Sequence, residues 1–390
     1  MPSPICAPDS TPTAVAQAVI GATALLEPAT GIGVYTREIA TRLPALLPNL
    51  QWQYQVGEGL VVPTLPLADP APPARQSLTI QARRWIGTAP LFGPLLRDAY
   101  HRLRLLGDRR RFDLYWEPNN LLDLRLRARA TILTVHDFSW RNHPEWHPCE
   151  RVAHFRRAFD RSLRRADTVI TGSHRTREEI LATTSLQAEQ VVVIHHGVDQ
   201  ALFHPWSADA ISALRQRLSL PERFVLFVGT LEPRKNLATL LTAWSHLPAA
   251  VQQDLHLVIV GAKGWRNTDL HRAIAAFGER IHCLGYVPRE DLPGLYSAAA
   301  VFAYPSTYEG FGLPPVEAAA CGCPLVIAHD LPAREVLGQH GFAIDPLDPG
   351  AIADAIVAAV ASPRIPLHPP GWDQAAQAHA RILQAFTSDT

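Results

Sequence analysis

The chain has 390 residues, enough for two domains of ordinary size, and its 47% hydrophobic content can fill sizeable cores. Lys+Arg and Asp+Glu both number 36, so the formal net charge is zero and no global field draws the chain to nucleic acid or to a membrane. Five cysteines (Cys6, Cys149, Cys283, Cys321 and Cys323) are scattered, which argues against a disulfide framework or a zinc site and fits reduced thiols in a cytoplasmic protein.

The start, Met1-Pro-Ser-Pro-Ile-Cys-Ala-Pro, has neither a basic region nor a sustained apolar core, so no signal peptide is expected. A strand is predicted over 14–20. Thr30-Gly-Ile-Gly-Val-Tyr35 follows it and leads to a helix over 35–47. Gly31 and Gly33 suit close backbone approach to a phosphate or sugar, but without a third glycine a plain tight turn serves equally well. Residues 57–74, rich in Gly and Pro, are expected to be loop. Residues 75–111 carry nine Arg and two acids interleaved with Trp85, Leu91, Phe92 and further leucines. That pattern suits either a peripheral surface for anionic lipid or a solvated helical face.

Further strands are expected over 112–116, 131–135, 168–171 and 191–194, with helices over 151–165 and 175–181. His136, in Val135-His-Asp-Phe138, falls at the carboxyl end of its strand, where side chains of α/β sheets reach ligands. His195-His196-Gly-Val-Asp199 also ends a strand. Two adjacent His suggest a metal, but no clustered carboxylates accompany them in the sequence, so a packing loop is the preferred reading and no metal site is expected.

From Phe224 onward, continuous apolar runs (224–228, 255–260, 281–284, 301–304 and 324–327) alternate with helical patterns such as 237–244 and 270–277. Such runs signal a parallel sheet covered on both faces. The expected class is α/β, with two doubly wound halves facing across a cleft: residues 1–200, a linker 201–222, residues 223–371 and a final helix over 372–390.

Two motifs sit where strands give way to helices in the second half. Gly229-Thr-Leu-Glu-Pro-Arg-Lys-Asn236 presents adjacent cations, Arg234 and Lys235, at a helix start, with Asn236 as a candidate cap. Arg for bidentate bonding and Lys as a point charge suit a diphosphate, and lysine is rare here: only Lys235 and Lys263 occur. Glu309-Gly-Phe-Gly-Leu-Pro-Pro-Val-Glu317 places two carboxylates around a glycine loop, with Glu317 expected in the first helical turn. No Asp-x-Asp occurs to hold a metal-bound diphosphate, so cations and helix ends must neutralise it.

Together these motifs make the chain resemble the retaining GT-B glycosyltransferases of family 4, over about residues 13–386. The resemblance implies that Glu309 contacts the transferred sugar and Glu317 the nucleotide ribose. Arg234 and Lys235 match the phosphate-binding pair, Gly31 and Gly33 the glycine turn, and His136 the His-Asp element. Backbone at Phe311, Gly312 and Leu313 would meet sugar and phosphate, while Tyr286 and Val287 would line the base pocket. Trp372 and the final helix resemble the tail that crosses back to the first half. One departure is His196, where many members carry Asn before the Gly. The resemblance implies a hexosyltransferase without a cofactor, using a nucleotide diphosphate sugar (GDP-mannose first) and a saccharide or lipid-linked acceptor in bacterial polysaccharide synthesis, with no nucleic-acid partner. A nucleotide-sugar epimerase or hydrolase, or a non-catalytic sugar-nucleotide-binding subunit, are the alternatives.

Overall fold

The structure is a computed structural model that describes residues 15–26, 30–57, 60–66, 111–262 and 268–387. Nearly all of the basic stretch 75–111, the leader and Lys263 lie outside the described residues. Contacts divide the chain into two units. One comprises residues 1–118, 123–132 and 380–390, and the other 119–122 and 133–379.

In the first unit, β1 (Ala16–Gly21) pairs in parallel with β2 (Leu50–Val56) and with β4 (Arg111–Glu117), and β2 pairs antiparallel with β3 (Leu60–Val62). β3 lies inside the stretch expected to be loop. Its β-branched Val61 and Val62 pair back on Gln55 and Tyr54, which overrides the Gly and Pro around them. The helix expected over 35–47 instead starts four residues earlier, as α1 (Gly31–Ala40), because the Thr30 hydroxyl accepts from Gly33 N at 3.1 Å and caps it there. A separate short helix, Leu43–Leu46, follows. The break has a simple cause: Pro44 has no N–H to offer the carbonyl of Ala40. Within α1, Tyr35 is buried with its ring edge-on to Trp116 at 6.0 Å. The tail residues 380–387 also group with this unit, where Arg129 Nη2 donates to Phe386 O at 2.6 Å.

β5 (Arg127–Val135) runs through both units, and the sheet order is β3-β2-β1-β4-β5-β6-β7. The second unit holds β6 (Thr168–Thr171) and β7 (Val191–Val193), which pair in parallel, with α2 (Cys149–Arg165) and α3 (His174–Thr183). The segment expected to be linker contains α4 (Ala208–Leu218), capped by Ser207.

A second sheet then assembles from β8 (Phe224–Val228), β9 (His256–Val260), β10 (Ile281–Gly285), β11 (Val301–Tyr304), β12 (Leu325–Ala328) and β13 (Phe342–Ile344). Its helices include α5 (Leu237–His246), α6 (Thr268–Ala276), α7 (Leu292–Ala298), α8 (Leu313–Ala320), α9 (Arg334–Leu337), α10 (Pro349–Val360) and α11 (Trp372–Ala385), and a short helix, Ala249–Asp254, precedes β9. Every pairing in this sheet is parallel, in the order β10-β9-β8-β11-β12-β13. β8, β11 and β12 are buried along their whole lengths, as strands covered on both faces must be. The strand order reverses between β8 and β11. In open parallel sheets the crevice for a ligand opens at such a reversal, outside the carboxyl ends of the two strands. Among the described residues no helix is long and apolar enough to cross a membrane.

Candidate functional site

The two sequence motifs emerge side by side at this reversal. After β8 the chain turns through a short 3-10 segment, Pro233–Lys235, and enters α5. Asn236 holds the cap position in left-handed backbone (φ 56°), but its side chain does not cap the helix as expected. It donates instead to Pro346 O at 2.6 Å and accepts from the Thr239 hydroxyl at 2.6 Å. After β11 the chain runs through Ser306 and Glu309 to Gly312, whose φ of 97° excludes an unstrained side chain, and then into α8. Pro314 and Pro315 sit in the first turn of α8, where missing N–H groups leave nothing unsatisfied. Arg234 O ties the two loops together, accepting from Thr307 N at 2.8 Å and from the Ser306 hydroxyl at 3.0 Å.

Glu309 is the centre of this arrangement. Its carboxylate is buried and pairs with Arg234 Nη1 and with Lys235 Nζ, the latter at 2.5 Å. The hydroxyls of Tyr304 and Ser306 donate to the same Oε1 at 2.8 and 2.7 Å. Burial alone would raise its pKa, but the charges of Arg234 and Lys235 outweigh burial and hold it at about 2. Burial and the adjacent Arg234 push the Lys235 ammonium down, against the pull of Glu309. Burial also disfavours the charged form of Arg234, yet Glu309 and Glu232 more than restore it. Glu232 Oε1 accepts from Arg234 Nε at 2.6 Å, so two cations and two carboxylates form a charge-balanced quartet. Lys235 also lies over the Tyr304 ring, with Nζ 4.9 Å from its centroid.

Glu317 is a fifth-position residue of α8, one turn deeper than expected. It is buried, pairs with Arg289 Nη1 at 3.2 Å and lies 3.4 Å from the Tyr296 hydroxyl. At the end of β10, Tyr286 is exposed while Val287 joins the core.

The loop 308–312 also packs on the end of β5. His136, buried, is fixed through its backbone, whose N–H donates to Asn120 Oδ1 at 2.7 Å. Gly310 lies directly against the carbonyl of His136, so close that any Cβ would collide with it. The Gly310 carbonyl in turn accepts from the hydroxyls of Ser173 at 2.8 Å and Thr176 at 3.2 Å. Tyr308 accepts from Phe138 N at 3.0 Å and donates to Glu179 Oε2 at 2.5 Å. Burial and Glu179 push the Tyr308 phenol up, so it stays a donor. Phe311 is buried against the ring of His196 at 4.9 Å, and that ring stands 5.9 Å from those of both His136 and Trp372. Burial, then the neighbouring His136, His379 and His195, hold His196 well below the ordinary imidazole value, so it is neutral. Gly31 and Gly33 belong to the first unit, where they form the first turn of α1.

Several participants carried no expectation. Glu232 lies inside the quoted Arg-Lys motif, and Tyr304 and Ser306 flank the end of β11, so proximity to a strand end was the available signal. Glu335 had none. It accepts from His195 Nε2 at 2.7 Å and from the backbone N–H groups of His174 and Arg175 at 2.8 and 3.2 Å. A carboxylate therefore does meet one of the paired histidines, from 140 residues away in sequence.

Comparison with known proteins agrees with this fold. Residues 29–202 match the family described as Glycosyltransferase Family 4, and residues 210–375 match Glycosyl transferases group 1. The chain is 36% identical over 275 residues to the O-antigen chain mannosyltransferase B of Escherichia coli, covering 68% of this chain and 71% of that protein. It is 31% identical over 189 residues to the serotype-specific mannosyltransferase WbdA of Escherichia coli, covering 47% of this chain but 23% of that longer protein. The fold resembles that of Anabaena Alr3699/HepE, solved in complex with UDP-glucose, with a TM-score of 0.61 at 21% identity over 96% of this chain and 98% of that one. With two Rossmann-like sheets, a strand reversal that gathers both motifs and a close relative covered over most of its length, the chain belongs to the GT-B glycosyltransferases of family 4, and it is a hexosyltransferase.

Proposed function

We propose that this enzyme transfers mannose from GDP-mannose, with retention at the anomeric carbon, to a saccharide or lipid-linked saccharide in polysaccharide synthesis. The observation that carries the reading is the Glu309–Arg234–Lys235 cluster at the reversal between β8 and β11. The choice of mannose and of polysaccharide rests on the mannosyltransferase relatives.

The diphosphate of the donor would lie at the start of α8, taking hydrogen bonds from Arg234 and Lys235 as negative charge builds on the leaving group. Glu309 would exchange its cations for hydroxyls of the transferred sugar. While Arg234 and Lys235 pair with it, its low pKa keeps it charged and ready to accept those hydroxyls. Glu317 would take the ribose, the backbone at Phe311, Gly312 and Leu313 the sugar and phosphate, and Tyr286 and Val287 the base. His136 would support the sugar from the end of β5. Among these groups none is a paired nucleophile, so attack on the donor's front face, assisted by the departing phosphate, fits best.

The test is transfer assayed with GDP-mannose, UDP-glucose and dTDP-rhamnose for the wild type, Glu309→Ala and Lys235→Ala. Both variants are expected to lose transfer with the donor that the wild type uses. Full activity in both would sink the assignment, and sugar release without acceptor would indicate a hydrolase. The proposed membrane contact through residues 75–111 is tested by vesicle binding that weakens with salt and with loss of those arginines.

A further inference from the structure

Behind the glycine loop, three side chains from distant parts of the chain converge. His174 opens α3, His195 follows β7 and Glu335 lies on α9. Their ligand atoms all lie within 4.8 Å of one another. Two imidazoles and a carboxylate are a ligand set that zinc accepts with a fourth, open position for water. Outward exposure supplies that water, because His174 is exposed and the side chains of His195 and Glu335 keep 31% and 22% of their surface.

The supporting shell is already built. The N–H groups of His174 and Arg175 orient the Glu335 carboxylate, and outer hydrogen bonds of this kind fix a metal-binding carboxylate. Arg175, the cation beside the group, is itself engaged by Asp330 at 2.8 Å. Bonds of about 2.0–2.2 Å to a tetrahedral ion place its ligands about 3.3–3.6 Å apart, so His195 and Glu335, now 2.7 Å apart, must part slightly to admit it, and the exposed His174 needs a rotation of at most roughly 1 Å.

We propose that His174, His195 and Glu335 form a binding site for a divalent ion of the zinc class, which clasps α9 to the start of α3. The clasp would act on the donor loop from behind. Leu331 and Ala333, just before α9, have side-chain carbons 3.7 Å from where a Cβ on Gly312 would stand, and the ring of Phe311 lies 6.3 Å from that of His195. The ion plays no part in the proposed transfer chemistry; it holds the loop in its docked position.

Zinc chloride titrated into chelator-stripped protein, followed by calorimetry, tests this directly. One equivalent is expected, with affinity at least about tenfold weaker in His174→Ala, in His195→Ala and in Glu335→Gln. X-ray absorption of the bound ion should show nitrogen and oxygen at about 2.0–2.2 Å and no sulfur near about 2.3 Å. The ion should also raise the melting temperature of the wild type more than that of any of these variants. Absence of uptake by the wild type would overturn the proposal. So would uptake undiminished in the His174→Ala/His195→Ala variant, since the ion would then sit elsewhere, such as on exposed Cys149 or Cys283 or on the His256–His282 pair. His174 is exposed, so its single substitution keeps the test informative if another variant folds poorly.

Discussion

Two glutamates organise two charge clusters in the second unit, and they differ chiefly in burial. Glu309 is 7% exposed and meets two full cations and two hydroxyls. Glu335 keeps 22% of its side-chain surface and meets one imidazole and two backbone N–H groups. Each draws partners from far away in sequence, and each is held below the ordinary carboxylate value. For Glu335 burial is opposed by hydrogen bonds from His195, His174 and Arg175, and for Glu309 by the charges of Arg234 and Lys235. The contrast teaches that the same side chain serves either as a fixed charge, which must stay compensated, or as an adjustable fastening that water can loosen.

The contrast breaks most sharply at Glu309. Glu309→Ala leaves two buried cations facing each other, so activity should fall about 10²–10³-fold and stability by about 3–5 kcal/mol, read from initial rates and denaturant melts. Unchanged melting would mean that the quartet is not a unit. Lys235→Ala removes one cation and leaves Arg234 on Glu309, so a smaller loss of activity, about 10²-fold, is expected with a more stable fold than Glu309→Ala.

Acid sharpens the comparison. A carboxylate with a depressed pKa contributes stability that is fully present above its unfolded value of 4.5 and is lost as pH falls toward the folded value, here about 2 for Glu309. Wild-type stability should therefore decline over that window, and Glu309→Gln should flatten the decline; an unaltered slope would count against a charged Glu309. The smallest effect belongs to the exposed cluster. Glu335→Ala removes a helix-terminal acceptor and should cost about 1 kcal/mol in the absence of added metal, with transfer rates near those of the wild type.

The fold was legible where apolar runs are continuous. Strands β6, β8 and β11 begin and end where the expected runs do, and every residue in them is buried, so apolar and β-branched residues mark their full lengths. β2 escaped notice although Leu-Gln-Trp-Gln-Tyr-Gln-Val alternates strictly, because it looks unlike the buried runs that mark the other strands. β13 has three residues, too few to carry a period, and α10 begins with Asp348 accepting from Gly350 and Ala351, a cap signal that went unread. Glu309, Arg234 and Lys235, which the fold gathers at the strand reversal, each stand in a motif that singles them out in the sequence. What could not be read was that Glu309 pairs with Arg234 and Lys235 themselves, since each motif taken alone invites a ligand as its partner. Nor does anything local in the chain announce that His195 and Glu335 meet.

The contact between Gly310 and the His136 carbonyl has a consequence for kinship and engineering. The neighbouring Gly312 is demanded by its backbone angle, whereas Gly310 is demanded by space alone. A chain with even alanine at this position must hold the loop off the end of β5. The residue at position 310 therefore serves as a marker for sorting homologous sequences, separating those able to adopt the docked loop from those that cannot. Gly310→Ala would be the smallest possible wedge for propping that loop open.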